Sequence, residues 1–480
     1  MRKRQVPFAL GRLGRSPSTA WCGVLNWRSR LGVEAFKQRS RQSIYPERLS
    51  RGRGVYVALV RACNGQLAPS VCEWGAAMKI HVRLALAVLC TALGWSSAWA
   101  GHITLNDTGL TQCLDGEYQW TTDCAKSGQD AAYGRDVSAN DPDDGEAGFS
   151  FRKVCRSGEM AGEGSCPTDP KLGTGPDSWG CTYDDIRKLL WEVKTTSGTH
   201  YSRLYTNYGH DQHDNPSDIA WLKAATNAET LCGHADWRLP SASELHSIVD
   251  YGMGTNGPTE RQTYLDPTYF PNVTFSDSAW TNTPCAAQPE GTQSWGVDVA
   301  AGHINERPHW WPSVGILVVS TAQQTTSVAL SQNARNRFIP SPDGSEVSDI
   351  LTGLIWQRCT VGLTWNLSSQ TCDGDSPTFF SFKTAVRYAK HHRQGGWRIP
   401  NVKELASIID YTRFGPAINQ QAFPNITDYW YLTSTVAYDY YQGKFTPVDK
   451  YVEFPRGTVH MQPILVQDRF TLLLVRRGRQ

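Results

Sequence analysis

The amino-acid sequence predicts an α+β fold in which two tandem copies of one unit follow a cysteine-rich N-terminal extension. The first observation is a repeat: "ADWRLPSASELHSIVDY" at 235–251 returns as "GGWRIPNVKELASIIDY" at 395–411. The second is that helix-like and strand-like segments follow one order around both stretches, which predicts a unit of about 140 residues. Two copies are too few for a solenoid, so we predict tandem domains at 176–325 and 350–480.

Residues 78–100 are typical of a secretory signal peptide. Lys79 and Arg83 form its positive region, 84–93 its apolar region, and Ala98-Trp99-Ala100 its cleavage site. The apolar region is about half as long as a transmembrane helix needs to be. We therefore expect an exported protein with no membrane span in its mature chain.

Export signals act at the N-terminus, which indicates that Met78 is the true start of translation. Residues 1–77, with 14 Lys+Arg and 3 Asp+Glu, then form a non-native upstream segment that we expect to be disordered. The alternative is a basic arm that binds nucleic acid. Residues 101–480 carry 31 Lys+Arg and 42 Asp+Glu, a net charge of −11. Bulk charge therefore argues against a nucleic-acid partner, although a local basic patch is compatible with it.

The extension at 101–175 is rich in Gly, Asp and Cys and shows little periodicity. Nine of the 13 Cys lie after residue 100, and in an oxidising compartment they predict disulfides. Spacing favours three short-range pairs and one that closes the first copy, although sequence alone leaves the connectivity open. These candidate pairs are Cys113–Cys124, Cys155–Cys166, Cys359–Cys372 and Cys181–Cys232, which leaves Cys285 over.

Each copy begins with an apolar strand, at 189–195 and 354–360. A helix-compatible stretch that runs into glycine follows, at 218–233 and 380–396. The repeated stretch then provides an extended lead and a second helix that ends at Asp-Tyr. Its start is a capping box: Ser241 or Asn401 precedes a Glu by three positions, and apolar residues then recur at helical spacing.

After the second helix, both copies contain Phe-Pro-Asn, at 270–272 and 423–425, and then a Thr-rich segment that we interpret as a turn. Alternating strands at 297–302 and 452–457 run into a glycine turn. Apolar strands at 315–320 and 472–478 close the copies. We interpret 326–349 as the linker between copies, part of which could form an edge strand.

The order Trp-x-Arg-[Leu/Ile]-Pro-x-x-x-Glu-Leu, Asp-Tyr, Phe-Pro-Asn, Thr-rich segment resembles the Lcl C-terminal domain family, twice over. The opening strands "LLWEVKT" at 189–195 and "GLIWQRC" at 353–359 resemble that family too. The resemblance implies a C-type-lectin-like fold and export. The family takes its name from one member, and for that member the resemblance implies binding of sulfated glycans. The family carries no agreed catalytic residues that could be transferred.

The residues shared by both copies are predicted to be structural. We expect Trp237 and Trp397 to pack in the core and Glu244 and Glu404 to cap helices. A carboxylate at a helix C-terminus opposes the helix dipole and needs another partner. We therefore predict two internal ion pairs, Arg238–Asp250 and Arg398–Asp410.

Aromatic residues outside the repeat are the candidate ligand-binding residues, because exposed rings stack on sugars and dominate binding surfaces. They are Trp310, Trp311, Tyr438, Tyr440 and Tyr441.

A weaker metal candidate is the His/Asp cluster in "YGHDQHDN", whose side chains suit a divalent ion. It comprises His210, Asp211, His213 and Asp214. Acidic loops at 141–148 and 372–377 make calcium possible, with solvated loops as the alternative. We expect no other cofactor.

No G-x-S-x-G, H-E-x-x-H, P-loop or dinucleotide motif occurs in the sequence. We therefore predict an exported, non-catalytic, adhesin-like protein that recognises a glycan or protein at the bacterial cell envelope or surface. One alternative is a cysteine-using enzyme of the formylglycine-generating type. Another is a structural subunit of a surface assembly. The oligomeric state is left open.

Overall fold

The computed structural model describes residues from 104 to 478, with gaps. The chain divides into two units, at 1–95 and 96–480, and every described residue belongs to the second. The predicted signal peptide and upstream segment lie outside the described residues. The described ranges are 104–139, 148–208, 214–254, 263–273, 278–287, 292–320, 337–426, 429–441, 444–464 and 469–478.

Short helices and many strands make up this unit. The α-helices are α1 (Arg135–Ser138), α2 (Ile219–Ala228), α3 (Ala242–Ser247), α4 (Phe382–His391) and α5 (Val402–Ala406). The strands up to the end of the first copy are β1 (Cys113–Leu114), β2 (Trp120–Thr121), β3 (Phe151–Cys155), β4 (Trp179–Asp184), β5 (Leu189–Glu192), β6 (Leu204–Tyr205), β7 (Ser278–Pro284), β8 (Gln293–Asp298), β9 (His303–Pro308), β10 (Ser313–Val314) and β11 (Val318–Ser320). The later strands are β12 (Phe338–Pro340), β13 (Glu346–Asp349), β14 (Leu354–Gln357), β15 (Thr364–Asn366), β16 (Thr371–Asp373), β17 (Trp430–Tyr441), β18 (Lys444–Glu453), β19 (Thr458–Pro463), β20 (Phe470–Thr471) and β21 (Val475–Arg477).

Each copy owns a four-stranded antiparallel sheet, and the two sheets have the same order. The first runs β11-β5-β4-β3 and the second β21-β14-β13-β12. The extension therefore contributes β3 to the first copy. The predicted linker contributes both β12, which is an edge strand, and β13 to the second copy.

A nine-stranded sheet runs through both copies, in the order β20-β17-β18-β19-β9-β8-β7-β10-β6. Its two halves mirror each other, because an antiparallel three-stranded meander in each copy continues into a short parallel strand. The meanders meet edge to edge at Ile304 and Val459. This pairing removes an exposed inner edge from each copy and resembles the self-complementary contact of a two-fold dimer.

The capping boxes predicted for the repeated helices are confirmed. In α3, Ser241 and Glu244 exchange side-chain-to-backbone hydrogen bonds, and in α5 Asn401 and Glu404 do the same. The helices are shorter than predicted and end before the Asp-Tyr pair. Hydrogen bonds of the i→i−3 type close the chain after them, for example from the Val249 amide to the His246 carbonyl.

The Thr-rich segments are strands, so their interpretation as turns is wrong. Thr281 and Thr433 donate to carbonyl groups of the neighbouring strand, with O–O distances of 2.5 and 2.7 Å. The hydroxyls of Thr283 and Thr435 accept from the first amides of α3 and α5, both at 2.9 Å. Threonine recurs here because these hydroxyls satisfy helix-end donors that lack a partner within the helix.

The extension is anchored beside the capped helices. Asn401 Nδ2 donates to Asp107 Oδ1 at 2.8 Å, and Lys403 Nζ donates to the Asp107 carbonyl at 2.6 Å. Lys403 also donates to the carbonyl of Ser247 in the first copy, at 2.8 Å. One buried ammonium group therefore joins the extension and both copies. The apolar core is likewise shared, since Leu245, Leu405 and residues of both meanders belong to one cluster.

All four predicted disulfides are confirmed, and Cys285 is buried. The structure is mostly β-sheet with a few short helices. Over the described ranges, no helix has the length and apolar character required to cross a membrane.

Candidate functional site

Each copy holds an Arg–Glu ion pair at the start of its capped helix. Arg238 makes two hydrogen bonds to Glu244, at 2.7 and 2.8 Å, and Arg398 binds Glu404 in the same way, with its Nη1–Oε2 bond at 2.6 Å. Burial alone would lower the pKa of Arg398, but the Glu404 carboxylate raises it above its usual range. The same Glu therefore caps the helix and fixes the lead strand.

The predicted pairs Arg238–Asp250 and Arg398–Asp410 are wrong. Asp250 Oδ1 accepts from the Gly252 amide at 2.8 Å, and Asp410 Oδ2 accepts from Arg413 Nε at 2.8 Å. Each Asp follows the far end of its helix, whereas the Glu lies in the first turn beside the lead strand. The structural roles predicted for the two Arg and two Glu residues remain, with a different partner.

The lead strand pairs with the last strand of its copy, which aligns the two copies residue by residue. Arg238 bridges to Val318, and Arg398 bridges to Val475. The next positions therefore correspond, Val319 to Arg476 and Ser320 to Arg477. At one equivalent place on the fold, the first copy has an apolar and a small polar residue and the second has two cations.

In the first copy this place is closed. Val319 is 1% exposed and Trp237 is 2% exposed, and both pack in one apolar cluster with the Cys181–Cys232 disulfide. Met160, from the hairpin that follows β3, packs on the same cluster. Trp237 Nε1 donates to the Leu231 carbonyl at 3.1 Å, so the indole is satisfied internally. Trp237 thus has the core role predicted for it.

In the second copy the same place is an open groove of about 460 Å³. Trp397 is only partly buried there, and the Arg476 guanidinium lies 5.0 Å from the centre of its indole ring. The predicted core role therefore describes only part of Trp397. The groove is lined by Tyr133, Gly134, Arg393, Gly396, Trp397, Arg398, Arg476 and Arg477.

Two of the four guanidinium groups in the groove are neutralised by carboxylates. Arg398 pairs with Glu404, and Arg476 pairs with Glu346. Arg393 and Arg477 are exposed, and neither forms an ion pair within 4.0 Å with a described carboxylate, although Glu404 lies close enough to Arg477 to interact with it electrostatically. Planar guanidinium groups match carboxylate, sulfate and phosphate oxygens. The groove therefore offers two available cations beside an aromatic ring.

Positive charge continues along helix α4. Lys383, Arg387 and Lys390 are exposed and line a second groove of about 590 Å³ between α4 and the β1–β2 hairpin. Helix α2, the counterpart in the first copy, carries a single basic residue, Lys223. Although residues 101–480 carry a net charge of −11, helix α4 of the second copy thus presents a row of exposed cations.

A buried polar network in the first copy is satisfied internally. Glu192 Oε1 accepts from Lys194 Nζ and lies beside His200 Nδ1, both at 2.8 Å, and Glu192 Oε2 accepts from the Leu317 amide at 3.0 Å. His200 Nε2 lies 3.1 Å from Glu229. These groups are therefore engaged with each other in a largely buried network.

The predicted aromatic ligand residues lie apart from one another. Trp310 and Trp311 are 57% and 46% exposed on the turn after β9, with ring centres 5.6 Å apart. Tyr438 is half-buried against Trp120, and its carbonyl accepts from the Tyr264 hydroxyl. Tyr440 and Tyr441 end the same strand, and their side chains lie outside the described part of the chain.

Most of the predicted metal cluster cannot be placed. His210, Asp211 and His213 lie outside the described residues, and Asp214 is exposed. The acidic loop at 141–148 is described only at Gly148. In the other acidic loop, Asp373 accepts from Asn366 and Thr371. Within the described ranges, no three His, Cys, Asp or Glu side chains form a group able to hold a metal ion.

The groove residues Tyr133, Arg393, Arg476 and Arg477 were missed by the sequence predictions. A signal was present, since "LLLVRRG" places two arginines where the first copy has "LVVS", and "KHHR" ends the helix before the repeat. The net charge did not reveal these two basic stretches, because it sums the charges of the whole chain.

Comparison with known protein families identifies a family for the chain. A family model described as the Lcl C-terminal domain matches residues 180–319 and 345–476, which together are more than half of the chain. The two matches coincide with the two copies. No curated protein and no solved structure matches the chain.

Proposed function

The chain belongs to the Lcl C-terminal domain family and carries the domain twice, and from this we propose that it is an exported, non-catalytic protein that binds an acidic glycan. The binding site is the groove of the second copy. The observation that carries this proposal is the position of Arg393 and Arg477, exposed and without an ion-pair partner among the described residues, beside Trp397 in an open groove.

The chemistry of the groove favours an acidic sugar over a neutral one. Guanidinium groups form charge-assisted hydrogen bonds to sulfate or carboxylate, and an aromatic ring packs against the apolar face of a sugar. The described residues that line the groove include no Ser, Cys, His or carboxylate, which supports binding rather than catalysis. Two such contacts in an open groove predict dissociation constants of about 10 μM to 1 mM that weaken with salt.

Export is supported by the sequence pattern at 78–100 and by four disulfides, which persist in oxidising compartments. For each copy we propose a C-type-lectin-like arrangement, which the family resemblance implies. The short helices and small sheets of each copy are compatible with it.

Binding of residues 101–480 to a panel of sulfated, uronic and neutral oligosaccharides tests the proposal. We expect acidic members to bind and the double variant Arg393→Ala/Arg477→Ala to lose at least tenfold in affinity. Arg413→Ala is the matched control, because Arg413 is an exposed arginine of the same copy that pairs with Asp410 outside the groove. Trp310→Ala tests the exposed Trp pair of the first copy as a competing site.

Two results would contradict the proposal. One is a panel in which no acidic glycan binds. The other is acidic-glycan binding that the double variant retains, and a loss on Trp310→Ala instead would move the site to the first copy.

A further inference from the structure

One wall of the groove comes from the N-terminal extension. Tyr133 and Gly134 face the four arginines of the second copy across it. Arg393 Nη2 donates to the Tyr133 hydroxyl at 2.8 Å, and the guanidinium carbons of Arg393 and Arg398 each lie 5.5 Å from the centre of the Tyr133 ring. Tyr133 therefore touches one of the two available cations of the groove.

Buried hydrogen bonds hold the residues just before Tyr133 in place. Asp130, three positions earlier, is 3% exposed, and its Oδ2 accepts from Thr435 at 2.6 Å and from Thr108 at 2.9 Å. Thr435 also bonds the first amide of helix α5. The chain just before Tyr133 is thereby hydrogen-bonded to the second copy.

The residues after Tyr133 are fixed as well. Gly134 has a φ of +80°, and a Cβ there would collide with the Asp107 carboxylate, which also accepts from the Arg135 amide. Only glycine combines this backbone conformation with so close a carboxylate. Because Asp107 is bonded to Asn401, Tyr133 lies between two anchors on the second copy.

We propose that Tyr133 is a positioning residue that holds the Arg393 guanidinium in one direction relative to Arg477, and so sets the spacing of anionic groups that the groove accepts. This rests on the proposed function of the groove. An arginine side chain loses rotamer freedom when it binds, and a partner that orders it beforehand reduces that loss. The Tyr133 hydroxyl and ring are such a partner.

The arrangement belongs to the second copy alone. By the repeat alignment, Gly233 occupies the position of Arg393 in the first copy, and it has no side chain for a tyrosine to orient. Spacing selectivity is therefore a property that the extension adds to a single copy.

The test compares Tyr133→Phe, which keeps the ring, with Tyr133→Ala, which removes ring and hydroxyl. Affinities are measured for oligosaccharides that carry two sulfates at different spacings and for a monosulfated member. For the preferred spacing we expect a loss of about 3–10-fold in Tyr133→Phe and more in Tyr133→Ala, with little change for the monosulfated member. Tyr201→Phe, an exposed tyrosine of the first copy, is the matched control.

A second readout does not depend on a ligand. Mass spectrometry follows the modification of Arg393 by phenylglyoxal, which we expect to be slow in the wild type and several-fold faster in both Tyr133 variants. Suppose that the wild type binds acidic glycans and that both Tyr133 variants keep its spacing selectivity and its Arg393 modification rate. That result overturns this inference alone. Absence of acidic-glycan binding by the wild type overturns the proposed function and the selectivity with it.

Discussion

In the first copy the place formed by Trp237 and Val319 is closed, and in the second copy the equivalent place at Trp397 and Arg476 is an open groove. The scaffolds agree, since the four-stranded sheets, the meanders and the capped helices follow one order in both copies. Val319 is buried in an apolar cluster that contains the Cys181–Cys232 disulfide, whereas the Arg476 guanidinium lies over the ring of the partly exposed Trp397. Side chains on the last strand, and the segment packed on them, therefore decide whether a copy presents a groove at this position.

The shared Arg–Glu pair also differs in its surroundings. The Arg398 and Glu404 side chains are 8% and 9% exposed, and those of Arg238 and Glu244 are 35% and 17% exposed. Asp107 and Asp130 of the extension add negative charge near Arg398. The Arg–Glu pair is therefore more deeply buried in the second copy, which carries the open groove.

The largest effect is expected from exchanging the residue types at Val319 of the first copy and its counterpart in the second copy, Arg476. Val319→Arg places an unpaired charge in a closed apolar cluster, and we expect it to lower the free energy of unfolding by about 5 kcal/mol or to prevent folding. Arg476→Val removes a partly exposed ion pair and a ring contact, which should cost about 1 kcal/mol or less. Chemical denaturation measures both, and comparable losses in the two variants would refute the distinction between closed and open.

Removing the carboxylate of each Arg–Glu pair tests whether burial sets the difference between the two copies. Glu404→Ala leaves a buried guanidinium without its carboxylate, and the expected loss of unfolding free energy is about 3–4 kcal/mol. Glu244→Ala should cost about 1–2 kcal/mol, because water reaches Arg238 and replaces part of the interaction. Denaturant titrations of the two variants provide the test, and a greater loss in Glu244→Ala would mean that burial does not set the difference.

An effect smaller than those of Val319→Arg and Glu404→Ala is expected at the contact of the extension with the second copy. Burial, followed by the nearby Asp107 carboxylate, raises the pKa of Asp130 to about 7. An acid whose folded-state pKa is raised favours the fold while it is protonated, so its contribution is lost as pH rises from about 4 to about 7. We expect Asp130→Asn to flatten the fall in stability over this range by about 2 kcal/mol.

Thermal or chemical unfolding at pH 4 to 8 measures this slope. Asp115→Asn, an exposed residue of the same extension, is the control and should keep the wild-type slope. An Asp130→Asn curve parallel to that of the wild type would show that this carboxyl does not bind a proton on folding.

Several features could be predicted because their causes are local. The capping boxes depend on residues three positions apart, and three of the four disulfides join cysteines separated by 11 or 13 positions. The partners of Arg238 and Arg398 could not be predicted, because the Glu and the Asp of the repeat are both plausible from spacing. Only the backbone path shows that the helix start folds back onto the lead strand.

The repeat, the order of its main elements and the starts of the capped helices were already readable in the sequence, because they follow from periodicity and short-range hydrogen bonds. The sequence also offered candidate cysteine pairs, and the structure established their connectivity. Tertiary structure decided that the copies share one sheet and that the extension docks on the second. It also decided that four arginines from separate segments meet Tyr133 in one groove. These features could not be predicted because such contacts join residues up to 305 positions apart, and their formation depends on which surfaces the rest of the chain leaves uncovered.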